Sequence, residues 1–283
     1  MTARDSGNRF VVPALVLLFL VTVYPVVFVI YLSTQRRLVI FEVSEFVGAG
    51  NFLFMMNDGR FWNALKNTLY FTALSVPLEV LLGLCIALLL QRNFRLKGLA
   101  RAIILIPWAV PTVVSAKMWE WIYNADYGIL NHLLGADINW LGDPFWAMHA
   151  AIIMDIWKTT PFAVILFSAG LQIIPAQLLR AARIDGAGAW QAFRRITLPL
   201  LSPVILVVFI FRTLDAFRVF DAVYVLTGGG PANTTETLSI YAYRLLFQTL
   251  QFGYGSAVSL VVFFAAGCAS VFYIRLLTKG GTG

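Results

Sequence analysis

Residues 179–201 read LRAARIDGAGAWQAFRRITLPLL, a short basic stretch set between two long apolar segments. Arg180, Arg183, Arg194 and Arg195 keep it out of a bilayer core and on the cytoplasmic side. Leu178, Leu179, Ala182, Trp190, Phe193 and Ile196 give it apolar faces at helical spacing. Two helical pieces are predicted, 177–184 and 189–196. Gly186 and Gly188 lie between them, where a tight turn needs small residues or a positive φ. Pro199 ends or bends the second piece. Two such short helices cannot bury their apolar faces alone. Either the ends of this chain's own helices or another protein covers them. A loop that merely joined two membrane helices would need none of these features.

The segments flanking this loop set the fold class. The chain of 283 residues is 60% hydrophobic and 12% charged, against roughly a quarter charged in soluble domains. Its apolar residues fall in blocks long enough to cross a bilayer, which takes about 20 residues at helical rise. The sequence therefore predicts an all-α, polytopic membrane protein forming one transmembrane domain over 1–283. Spans are expected at 10–32, 68–90, 102–122, 146–173, 200–226 and 254–277, with the basic loop at 174–199. Pro13, Pro25, Pro77, Pro107, Pro111 and Pro161 fall inside spans, where neighbouring helices can re-satisfy the freed carbonyls. The first apolar run is longer than a signal peptide's and lacks a small-x-small cleavage site, so it reads as a retained span.

Basic residues orient the chain. Arg4, Arg9, Arg92, Arg95, Lys97, Arg101, Arg180, Arg183, Arg194, Arg195, Arg275 and Lys279 share one side if the N-terminus is cytoplasmic. Arg36, Arg37, Arg60, Lys66 and Arg244 fall on the other. That asymmetry predicts cytoplasmic termini, and it accounts for the net charge of +7 without nucleic acid. On the outer side, 46–66 is rich in aromatics and Met and suits a short interfacial helix. Gly228-Gly229-Gly230-Pro231 breaks the chain, and 237–251 then looks helical. Cys85 and Cys268 both lie in apolar blocks and imply no disulfide. His132 and His149 lack ligand-like spacing.

Charges at membrane depth are costly and face a protein interior or a wet cavity. Here they are Glu79, Lys117, Asp155, Lys158, Arg212, Asp215, Arg218 and Asp221. Arg212, Asp215 and Val219 fall at i, i+3 and i+7 on one helix face. Arg218 and Asp221 are three apart on a neighbouring face. Two readings stand side by side: ion pairs within the helix that fix packing, or the polar wall of a translocation path. Asp155 and Lys158 repeat the spacing, and Pro161 would open the helix next to them. Four acids balance four bases in this set, which favours a neutral over an anionic solute.

The basic loop resembles the EAA motif of permeases in ATP-binding-cassette (ABC) importers: Glu-Ala-Ala, three residues, Gly, nine residues, Ile-x-Leu-Pro. Ala181-Ala182 stands three residues before Gly186, and 187–195 separate Gly186 from Ile196-Thr197-Leu198-Pro199. Arg180 occupies the glutamate position, reversing the charge there. Asn51-Phe52 followed by Phe61-Trp62-Asn63-Ala64-Leu65-Lys66-Asn67-Thr68 is similar to the entry of the second span in carbohydrate permeases. Trp157-Lys158-Thr159-Thr160-Pro161-Phe162 and residues 217–224, followed by Leu226-Thr227-Gly228-Gly229-Gly230-Pro231, extend the likeness along the chain.

The resemblance is to the first permease of the maltose, trehalose and glycerol-phosphate group, nearest its trehalose or maltose type. It implies a type I importer fold in a prokaryotic cytoplasmic (inner) membrane. It implies a coupling loop carried by Arg180, Ala181, Ala182, Asp185, Gly186, Ile196, Leu198 and Pro199. It also implies a sugar path that includes Lys158, Thr159, Phe162, Asp215, Val219 and Asp221, which Asp155 and Arg212 join as charges at membrane depth. The implied partners are a second permease, two copies of a cytoplasmic ATPase, an extracytoplasmic solute-binding protein, membrane lipid and the sugar itself. ATP and Mg would be used by the ATPase and no cofactor bound by this chain, for no Gly-x-x-x-x-Gly-Lys-Ser/Thr loop occurs. No nucleophile elbow, zinc spacing or catalytic dyad is visible either, so a transport subunit and not an enzyme is expected. A glycerol-phosphate or other sugar importer is the nearest alternative. A stand-alone secondary transporter using buried acids is the distant one, and the repeats it would show are not seen.

Overall fold

A computed structural model describes residues 3–280. The chain opens with helix α1 (Ala3–Ser33), then a hairpin of β1 (Gln35–Leu38) and β2 (Val43–Phe46), then α2 (Gly50–Met56). Helix α3 (Gly59–Gln91) follows, then α4 (Lys97–Ala109), α5 (Thr112–Ile122) and the short α6 (Ile129–Leu134). Next come α7 (Pro144–Ile173), α8 (Ala176–Ile184) and α9 (Ala189–Ala192). A π-helical turn (Phe193–Thr197) leads into α10 (Leu198–Phe217), followed by α11 (Asp221–Thr227). Helix α12 (Leu238–Tyr243), a second π turn (Arg244–Gln248) and α13 (Phe252–Gly280) complete the chain.

Among the described residues, five helical stretches are long and apolar enough to cross a membrane, and the bent pair α4–α5 can supply a sixth crossing. The bend is 97°, so the expected span 102–122 is not one straight helix. Pro111 is the cause. It has no N–H to give the Pro107 carbonyl one turn back, and it drives the preceding residue out of helical geometry. Val110 accordingly sits at φ −72°, ψ 134°. The expected span 200–226 is also corrected: α10 stops at Phe217, and α11 restarts at Asp221. By contrast α7 runs unbroken through Pro161, so that proline does not open the helix.

The chain forms two compact units. One comprises Met1–Trp62 with Tyr241–Phe263, the other Asn63–Ile240 with the chain after Phe263. In the first, the strands pair antiparallel, Gln35 against Phe46 and Leu38 against Val43. Asn51 in α2 donates to the carbonyls of Ser33 and Gln35 at 2.7 and 2.8 Å and ties the hairpin down. The short helix expected within 46–66 is α2, and the hairpin before it is new. Just ahead of α3, the Asp58 carboxylate accepts the hydroxyls of Tyr241 and Tyr254, each at 2.5 Å.

The second unit holds the main core. Its centre is α7, the most buried of the long apolar helices, and α4, α5, α10 and α11 all pack on it. Phe71, Met154, Phe167, Leu201, Val208 and Val223 are fully covered. Close approach depends on a missing side chain at Gly170, where a Cβ would sit 2.7 Å from Val204 Cγ2 and 2.8 Å from Leu201 Cδ1. The apolar surface left outside this core, such as Ile103, Ile106, Val113 and Val114, suits lipid or a partner helix.

Candidate functional site

Two places in the second unit collect the candidate path and coupling residues. The first is a cavity of about 530 Å³ where α5, α7, α10 and α11 converge. Asp155, Lys158, Thr159, Arg212, Asp215, Val219 and Asp221 all line it, together with Arg218, Trp108, Thr112 and Phe220. Phe162 does not. It lies against Trp108 and Phe211, with ring centroids 6.2 and 6.0 Å away, and so backs one wall from behind.

Of the intrahelical pairs that spacing suggests, Arg212 with Asp215 is present, and the other charges in this cavity pair differently. Lys158 does not turn to Asp155. Its ammonium donates to the Val110 carbonyl at 2.6 Å and to that of Pro107 at 3.4 Å. Those oxygens lie at the α4–α5 break, the second of them deprived of its donor by Pro111. A cation there also meets the negative end of the α4 dipole. Thr159 Oγ1 donates to the Asp155 carbonyl at 2.7 Å within α7.

Arg212 is the hub. Its Nε donates to Glu79 Oε2 at 2.5 Å, and one terminal nitrogen reaches Glu79 Oε1 at 3.3 Å and Asp155 Oδ2 at 3.5 Å. The other terminal nitrogen meets Asp215 Oδ2 at 3.2 Å. Asp215 Oδ1 in turn accepts from Arg218 at 2.6 Å. The expected Arg218–Asp221 pairing is thus replaced by Arg218–Asp215. Because α10 ends at Phe217, Val219 lies beyond the helix face carrying Arg212 and Asp215, yet the chain turn still brings it to the cavity. Its carbonyl is held by Thr237 Oγ1 at 3.0 Å. Asp221 stands in the first turn of α11.

Glu79 is legible in the sequence as an intramembrane charge, but nothing local connects it to this site, and nothing local places Trp108 or the backbone around Pro111 there. The spacing of Pro107 and Pro111 within one apolar block was the available signal for a broken helix.

The second place is the basic loop. Helix α8 closes with a Schellman motif: the Gly186 N–H donates to Arg183 O at 3.1 Å and the Ala187 N–H to Ala182 O at 2.8 Å. The motif needs a left-handed residue, and Gly186 has φ +78°. Gly188 is an ordinary N-terminal residue at φ −68°, its N–H held by Gln191 Oε1 at 3.1 Å. Only one of the two glycines therefore uses its freedom. Ala182 is buried, whereas Arg180, Ala181 and Asp185 are exposed. Ile184 and Trp190 are 86% and 69% exposed, so this chain leaves most of the loop's apolar surface uncovered. Ile196 and Leu198 are half-buried. Pro199 does not end the second piece as expected. The π turn just before it carries the helix past it into α10.

Residues 79–278 match the model of the family described as binding-protein-dependent transport system inner membrane component. The chain belongs to that family. As a permease of this kind it is 42% identical over 274 residues to the trehalose/maltose transport system permease protein MalF of Thermococcus litoralis, with 95% of this chain and 92% of that one covered. It is 39% identical to the trehalose transport system permease protein SugA of Mycobacterium tuberculosis, with 100% and 92% covered. The permease fold is that of a chain in the crystal structure of a bacterial ABC transporter involved in the import of the acidic polysaccharide alginate. The TM-score is 0.83 at 24% identity, covering 99% of this chain and 97% of the other. The all-α, type I importer permease fold expected from the sequence is the fold found.

Proposed function

We propose that this permease forms half of the translocation path of an importer for a neutral oligosaccharide, a disaccharide of the trehalose or maltose class. The cavity around Arg212 carries this reading. Its size falls within the roughly 300–1,000 Å³ usual for small-molecule sites. Its acids, Asp155, Asp215 and Asp221, equal in number its bases, Lys158, Arg212 and Arg218, so no net charge selects an ion. Carboxylates, a threonine hydroxyl and the Trp108 ring suit sugar hydroxyls and an apolar sugar face. The substrates named for the two relatives point the same way.

On this reading a second permease closes the cavity, and a solute-binding protein delivers sugar from the outer side. The termini and the loop at 174–199 face the cytoplasm. There Ile184 and Trp190 dock against one of two ATPase subunits, which alone use ATP and Mg. Arg180, Ala181, Ala182, Asp185, Gly186, Ile196, Leu198 and Pro199 form this coupling element. ATP-driven closure of the ATPases moves the loop and rocks the helices between inward- and outward-facing states.

The test is uptake of labelled trehalose and maltose into proteoliposomes holding the full complex, with the binding protein outside and ATP inside. ATP-dependent accumulation of a neutral disaccharide is expected. Uptake by this chain alone under a proton gradient, with no ATPase present, would overturn the proposal in favour of a secondary transporter.

A further inference from the structure

Glu79 lies outside the cavity, on α3, yet it is the residue that Arg212 holds most closely. Its side chain is wholly covered, and that of Arg212 is 5% exposed. Two of the guanidinium's nitrogens are committed to the two Glu79 oxygens. The remaining terminal nitrogen is thereby aimed at Asp215, whose side chain is 41% exposed and which fixes Arg218 at the cavity surface. The order along this chain of contacts runs from buried to exposed: Glu79, Arg212, Asp215, Arg218.

We infer that Glu79 is the positioning residue of the transport path, setting both the orientation of Arg212 and the charge balance of the cavity wall. Buried, unpaired charges are strongly unfavourable, so a guanidinium clamped on two oxygens keeps one orientation. Without the Glu79 charge, Arg212 would be shared between Asp155 and Asp215. Asp215 would be drawn inward, Arg218 would lose its partner, and the potential at the wall would become more positive by the loss of one negative charge behind it. The inference rests on the cavity being the transport path, but its test needs no substrate.

The test uses the full complex with Cys85 and Cys268 replaced by serine and Thr159→Cys as a reporter in the cavity. Rates of modification by an anionic and a cationic thiol reagent are measured, and their ratio reads the local potential. Glu79→Gln should raise the anionic-to-cationic ratio by about three-fold or more. Glu79→Asp should leave it unchanged, and Glu79→Gln combined with Arg212→Gln should return it to the starting value. A residue that only filled space would leave the ratio unchanged in both variants. An unchanged ratio in assembled Glu79→Gln, or a raised ratio that persists in the double variant, overturns the inference. If Glu79→Gln alone does not assemble, recovery of assembly in the double variant supports the inference, and failure of both overturns it. A reporter that behaves as expected in a complex that moves no disaccharide would sink the substrate reading and leave the role of Glu79 intact.

Discussion

The ammonium of Lys158 donates to the carbonyl oxygen of Val110 at 2.6 Å and so closes the gap that Pro111 opens between α4 and α5. A cation on the central helix thereby fixes the 97° bend between them. Lys158→Met keeps the length of the side chain but leaves both carbonyls without their donor. The loss should be about 1–3 kcal/mol, seen as a lower thermal-unfolding midpoint of the purified complex and a lower uptake rate.

The turn at Gly186 is open: a Cβ added there would meet nothing within 4 Å, and the obstacle to substitution is its φ of +78°. A β-branched residue there costs about 1–3 kcal/mol in backbone strain, while asparagine tolerates the left-handed region better. Gly186→Val should reduce binding-protein-stimulated ATP hydrolysis and uptake together, and Gly186→Asn should reduce them less. Equal activity of both variants with the parent would remove the turn from the coupling pathway.

Where α7 meets α10 the constraint is space. Gly170→Ala would force Val204 and Leu201 aside and should lower stability by about 1–3 kcal/mol. Gly267→Ala, on the exposed side of α13 with nothing near its Cβ, should be neutral or stabilising by up to about 1 kcal/mol. Unfolding midpoints of the two variants, compared side by side, check the contrast.

Asp58 supplies a pH dependence outside the spans. Burial pushes its carboxyl up, but the hydroxyls of Tyr241 and Tyr254 and the backbone N–H groups of Arg60 and Phe61 outweigh burial. The acid therefore sits below its ordinary value of 3.8. Burial, and then the bond to Asp58, push the Tyr241 hydroxyl up and keep it a donor. A lowered acid stabilises the fold above the unfolded pKa of about 3.9 and loses that contribution as pH falls through the folded value. The difference in unfolding midpoint between the parent and Asp58→Asn should hold steady from neutral pH to about 5 and shrink below about 4. Tyr241→Phe should narrow the acid range over which it shrinks.

Local sequence carried a large part of this reading. Block length and charge placement determined a polytopic helical protein, because only helices satisfy their own backbone in an apolar solvent. The spacing from Ala181 to Pro199 located the basic loop and its turn at Gly186, since a Schellman turn is set by a few adjacent residues. Seven of the eight residues expected on the path line one cavity; five of them are charges in apolar segments, which have few other places to go.

What the tertiary structure alone decided was the pairing. Helical spacing suggested Asp155 with Lys158 and Arg218 with Asp221, but those predictions assume unbroken helices and partners on the same element. Pro111 and the end of α10 at Phe217 break the elements, and Arg212 takes Glu79, 133 positions away in the chain. In a low-dielectric interior Arg212 gathers Glu79 and Asp155 from other helices as well as Asp215 from its own. Which contacts form depends on how α3, α7 and α10 pack, and no local pattern contains that.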